Sequence, residues 1–162
     1  MINKQGKLFR NNVSGKVECA EYDVNQNYYA FIQDKQKEGY NQCIVTSDIM
    51  IEIMQCFLLN NRVEITSINF MVDDNELESE IQTILSSMKQ NAGYWEILKN
   101  KLSFLSQNDS IEIKKVNYRL LTGNGALFSI QVNGIVTISE NQYDAISNKI
   151  SSIMEGYNGI VI

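Results

Sequence analysis

The chain of 162 residues has no histidine and no proline. Without histidine, Ser-His-Asp and Cys-His relays are excluded, as is any metal centre built on imidazole. Without proline, helix and strand ends must be set by Gly, Asn, Ser and Asp, and slow prolyl isomerisation plays no part in folding. Cysteine is scarce: Cys19, Cys43 and Cys56 are odd in number and widely spaced, which fits neither a disulfide framework nor the close pairs of a zinc knuckle. Reduced thiols are expected, Cys43 on a buried strand and Cys56 on a helix. No apolar run approaches the roughly 18 residues of a membrane-spanning helix. The longest, 44–59, is broken by Thr46, Ser47, Asp48, Glu52 and Gln55. The first ten residues hold no apolar segment after their lysines, so no secretory signal is read there and a cytoplasmic address is expected.

Clustered positive charge is also lacking. The densest basic group, Lys114, Lys115 and Arg119, does not offset a net charge of −5, so no nucleic-acid surface is expected. The acidity is too dispersed to mimic a phosphate backbone. What is present is ordinary for a soluble globular chain: 44 % hydrophobic and 20 % charged residues, in a length that suggests one domain. The Asn- and Ile-rich usage points to an AT-rich bacterial or phage genome.

The central stretch, 43–66, reads as a strand, a helix opened by Ser47 as N-cap with Asp48 beside it, a stop at Asn60-Asn61, and a second strand. In that helix Ile49, Ile53 and Phe57 form one row and Met50, Met54 and Leu58 a second, so the helix should be covered on more than one side. Residues 1–15 read as a flexible or edge-lying start. Residues 16–24 read as a strand whose apolar phase changes, as a bulge would produce. Tyr28 to Gln33, aromatic and β-branched, reads as a strand, followed by a charged loop over 34–39. Residues 62–70 alternate, with Val63 and Ile65 on one face and Ile68 and Phe70 on the other.

Asp73 and Glu76 are spaced as an acidic relative of the capping box before a helix carrying Leu77, Ile81, Ile84, Leu85 and Met88. A break at 91–93 and a second amphipathic helix over 94–105 predict a helical hairpin inserted at 74–105. Strands are expected over 111–121, 126–132 and 135–138, the last two joined at Asn133-Gly134. Ser139 and Gln142 should cap a final helix ended by Gly156, and 159–162 should add an edge strand. Ser129-Ile130-Gln131 before Ile135-Val136-Thr137 echoes Phe31-Ile32-Gln33 before Ile44-Val45-Thr46, which suggests two ββαβ units flanking the hairpin. The expected fold is α+β: one domain over 1–162, with a mixed, mainly antiparallel sheet and about four helices.

No catalytic constellation or metal set emerges, and no cofactor is expected. The carboxylates Asp73, Asp74, Glu76, Glu78 and Glu80 suit a helix start and solvated face better than a site for a hard cation. The function expected is a non-enzymatic binding protein acting through a protein surface, such as an inhibitor, immunity or accessory protein, with a protein partner or a second copy as its target. Tyr94, Trp95, Tyr28 and Tyr40 are the interface candidates, because such residues anchor interfaces. The alternative is a small-molecule binder or carboxylate enzyme using Asp73, Asp74, Glu112 and Arg119 in a pocket between the sheet and the 74–105 helices.

Overall fold

The computed structural model describes residues 2–60, 62–157 and 160–161. The fold is α+β, with five α-helices among the described residues and antiparallel strand pairings throughout. The chain divides into two compact units, residues 1–45 with 128–162, and residues 46–127.

The first unit is built on a strand read from sequence as a flexible or edge-lying start. Asn3–Asn11 form β1, paired along one edge with β2 (Val17–Tyr22). Its other edge changes partner midway, meeting β7 (Ile135–Ser139) over residues 3–7 and β3 (Tyr40–Ile44) over residues 9–11. The backbone bonds show that both partners share an edge. The even-numbered amides of Leu8 and Asn12 donate to Gly134 and Gly39, whereas the odd-numbered amide of Asn11 donates to Lys16 beside β2. At this fork the turn between β6 (Leu127–Gln131) and β7 is wedged in: the Leu8 amide bonds Gly134 and the Val45 amide bonds Val132. Gly6, Lys7, Leu8 and Phe9 are consequently all buried, so β1 shows no alternation.

The Asn133-Gly134 turn is as expected in place, but only Gly134 takes a positive φ, of 82°. The Gly134 amide donates to the Gln131 carbonyl at 2.9 Å, closing a three-residue loop that ends in a left-handed residue rather than a two-residue hairpin. A Cβ on Gly134 would lie 2.5 Å from the Cys43 carbonyl oxygen, so the fork closes only around a glycine. On β1, Gly6 plays a similar part, leaving room for the Tyr143 hydroxyl and the Cys19 sulfur.

The Tyr28–Gln33 strand and the 34–39 loop are corrected: Tyr28–Lys37 form one helix, α1, capped by the Asn27 side chain, which accepts from the Ala30 amide at 3.1 Å. Its apolar side packs Ile32 and Phe31 on Phe9 and Ala20. With a helix at 28–37, the first supposed ββαβ unit does not exist. β2 pairs in unbroken register, without the expected bulge. The closing helix, α5 (Tyr143–Glu155), is preceded by a 3₁₀ turn at Glu140–Gln142, and the Ser139 hydroxyl makes no capping bond. Arg10 fastens the far end of α5 by donating to the Met154 and Tyr157 carbonyls at 2.7 and 2.8 Å. Ile160–Val161 form β8 on β3, while Gly159 and Ile162 lie outside the described residues.

The second unit comprises α2 (Ser47–Asn60), β4 (Val63–Phe70), α3 (Asn75–Met88), α4 (Tyr94–Asn108) and β5 (Ile113–Leu120). In α2, Ile49, Met50, Ile51, Ile53, Met54 and Phe57 are buried, as two adjacent apolar rows require. The cap is Thr46, not Ser47: its hydroxyl accepts from the Ile49 amide and its carbonyl from the Met50 amide. Asn61 of the expected stop lies outside the described residues. The bulge lies in β4 instead, where Ile65 faces Tyr118 and Ser67 faces Asn117, so Thr66 is the extra residue. That insertion resets the phase and brings Val63, Ile65, Ile68 and Phe70 all into the core. α3 and α4 form the expected antiparallel hairpin, tied by Lys101 and Glu80 at 3.2 Å. Asp74, rather than Asp73, caps α3 by accepting from the Leu77 amide at 3.1 Å.

Gly134→Ala should cost about 2 kcal/mol or more from φ alone, lowering the melting temperature by roughly 4–8 °C, with the Cys43 clash added. Thermal denaturation followed by circular dichroism checks it, and a change below 1 °C would contradict the wedging of this turn at the fork.

Candidate functional site

Two places stand out once the packing is accounted for: a buried lysine beside a cavity in the first unit, and the outer side of α4 in the second. Lys7 is 1 % exposed on β1. Its Nζ donates to the Asn133 carbonyl and lies 5.7 Å from the centre of the Tyr28 ring. It takes no part in any ion pair among the described residues. Burial of the charged form pushes its pKa down to about 8. Beside it a cavity of about 270 Å³ opens at the fork, walled by Tyr28, Gln42, Cys43, Ile44 and Val132. The Tyr28 hydroxyl donates to Gln42 Oε1 at 3.4 Å, a long bond that leaves it free to turn. Cys43 is buried, and loss of solvation raises its thiol away from the reactive thiolate. Cys19 is pushed up further, to about 11, by the same cause.

α4 buries Trp95, Leu98, Leu102 and Leu105 on one side. The sector beside it carries Tyr94, Ile97 and Phe104, which are 36, 51 and 53 % exposed. At 100° per residue these three fall within a sector of about 80°, along about 15 Å of helix. Trp95 is therefore not a surface anchor: at 7 % exposure it belongs to the core, with its indole Nε1 lacking a hydrogen-bond partner among the described residues. Tyr94 is at the surface. Tyr28 and Tyr40 are half-buried around the Phe9 cluster, and Lys35 Nζ lies 5.3 Å from the Tyr40 ring centre.

The carboxylate alternative does not assemble. Asp74 serves the α3 cap, and Asp73 is exposed in the turn before it. Glu112 accepts from the Ser106 hydroxyl at 2.8 Å and from the Ser47 hydroxyl, and Ser47 in turn accepts from the Ile113 amide at 3.0 Å. This knot joins the start of α2, the end of α4 and the start of β5. Arg119 is exposed at the opposite end of β5, seven residues and about 23 Å along the strand from Glu112. A cavity of about 360 Å³ does lie between β4 and α3, but Leu58, Val63, Ile65, Leu85 and Met88 line it, and none of those four residues does. Among the described residues no group of three carboxylates or thiols could share a metal ion, and no helix is long and apolar enough to cross a membrane.

Sequence reasoning missed Lys7 and Phe104. A lysine carries no mark of burial until the register of its strand is known, whereas Phe104 was detectable from its seven-residue spacing to Ile97, close to two helical turns. No protein-family model, curated protein or solved structure matches the chain.

Two predictions follow from the burial of Trp95 and Lys7. Trp95→Ala should cost about 3–5 kcal/mol, and Trp95→Phe, which removes the unpaired N–H and keeps most of the volume, should cost far less; urea denaturation measures both. Lys7 binds fewer protons folded than unfolded between about pH 8 and the ordinary value of 10.5, so the cost of burying its charge is full below pH 8 and relieved as pH rises. Native protein should therefore gain roughly 3 kcal/mol relative to Lys7→Met between neutral pH and pH 10.5. Paired urea titrations across that range check the sign, and parallel curves would refute it.

Proposed function

We propose that the protein is a non-enzymatic binding protein that acts through a protein surface, the outer side of α4. The observation that carries this reading is the set Tyr94, Ile97 and Phe104, three exposed large side chains on one sector of α4, shared with Lys101, beside the sector that closes a core. Scattered apolar residues on a surface need no explanation, but a row does. Such a row suits insertion of a helix side into a groove or ridge of a partner.

The partner is a different protein bound transiently. A stable interface buries about 800 Å² on each side, more than a single helical row of three side chains supplies, so a permanent homodimer through this row is not favoured. The net charge of −5 steers association toward a partner with a basic rim. An inhibitor or accessory protein would work in this way.

The double variant Ile97→Glu/Phe104→Glu tests this reading, because exposed substitutions should shift stability by no more than about 0.5 kcal/mol each. Native mass spectrometry of gently purified wild-type protein should show a second polypeptide, and the double variant should lose it while keeping its melting temperature. A partner retained by the variant, or a homodimer that the variant dissolves, would overturn the reading.

A further inference from the structure

The cavity at the β1–β3 fork has a feature that packing does not account for. A buried cation is costly unless paired, and an apolar residue of similar volume commonly serves stability better. Lys7 is nevertheless buried with a carbonyl and a ring for company, and no carboxylate reaches it among the described residues. An ammonium has three N–H groups, and the Asn133 carbonyl takes one. Lys7 is also one of the residues that line an open volume with apolar walls at Ile44 and Val132.

We propose that this cavity binds a small monocarboxylate, its anionic group paired with the Lys7 ammonium and its apolar body held against Ile44 and Val132. The class follows from three observations. A neutral ligand would leave the charge uncompensated. A phosphate, nearly doubly charged, calls for several strong donors such as a guanidinium fork, and among the described residues the only cationic side chain on these walls is Lys7. The volume of about 270 Å³ falls just below the usual range of ligand sites, about 300–1,000 Å³, so the acid has a short chain or a single ring. The Tyr28 hydroxyl, held only by its 3.4 Å bond to Gln42, supplies a second donor to the carboxylate on turning inward. With a pKa near 8 the amine is mostly protonated at neutral pH, as the pairing requires. The site lies wholly within the first unit and does not depend on the α4 surface.

The test is a ¹³C-resolved NMR titration of the full chain at neutral pH with butyrate and benzoate, using butyramide and benzamide as neutral matches. The acids should shift the signals of Ile44 and Val132 and bind about ten-fold or more tightly than the amides, the discrimination expected of one charge-assisted pair. Lys7→Met should abolish this preference. Val132→Phe, which fills the cavity but keeps the lysine, should abolish binding altogether and serves if Lys7→Met does not fold. Equal binding of acids and amides, binding that survives both substitutions, or no shift at either wall residue with either acid would each overturn the proposal.

Discussion

The first unit depends on a strand that is covered on both faces and paired along both edges. Gly6-Lys7-Leu8-Phe9 meets Tyr143 and Cys19 on one face and the α1 aromatic cluster on the other, while β2, β7 and β3 bond its edges. A strand so placed must release space as well as fill it. Gly6 does so against Tyr143, and Gly134 does so against the Cys43 carbonyl. The change of partner from β7 to β3 leaves a gap that the 132–134 turn fills only in part. Arg10, two residues beyond the fork, carries the same strand out to the end of α5, where its guanidinium bonds helix to sheet through the Met154 and Tyr157 carbonyls.

The parts legible in the sequence were those with a long period. The two rows of α2, the α3–α4 hairpin and the strands around Asn133-Gly134 repeat over enough residues to declare themselves. What stayed hidden had a local reason each time. β1 shows no alternation because neither of its faces meets water over Gly6–Phe9, and its Lys and Gln residues read as solvated. Tyr28–Phe31 has strand-like side chains, yet the Asn27 cap and the polar run through Lys37 let one apolar side of a helix rest on Phe9. The Thr66 bulge reverses the apparent phase of β4, so Ser67 and Asn69 could not be kept out of the core by counting in twos. At helix starts the error was one residue, Thr46 for Ser47 and Asp74 for Asp73, because neighbouring residues compete for the same free amides.

Of the candidate site, sequence could supply residue types but not their surroundings. Tyr94 and Trp95 are adjacent and about 100° apart around α4, which sends one outward and the other into the core. Glu112 resembled a ligand group because a carboxylate near a basic strand invites that reading. In the fold, both of its oxygens are taken by serine hydroxyls whose positions in sequence, 47 and 106, give no hint of convergence.

Glu112 and Lys7 together show how this chain treats charge away from water. Glu112 is met by two hydroxyl donors, and the knot so formed ties three elements of the second unit. Lys7 is more deeply buried, and among the described residues it has a single carbonyl acceptor and no counter-charge. Scarcity is not the cause, since the chain has 19 acidic residues and pairs other lysines with them, as Lys35 with Glu18 at 3.3 Å. A polar group that is fully met can be explained by structure alone. One left partly unmet beside a cavity carries a cost that folding does not recover, and an anion arriving from outside is the simplest way to recover it.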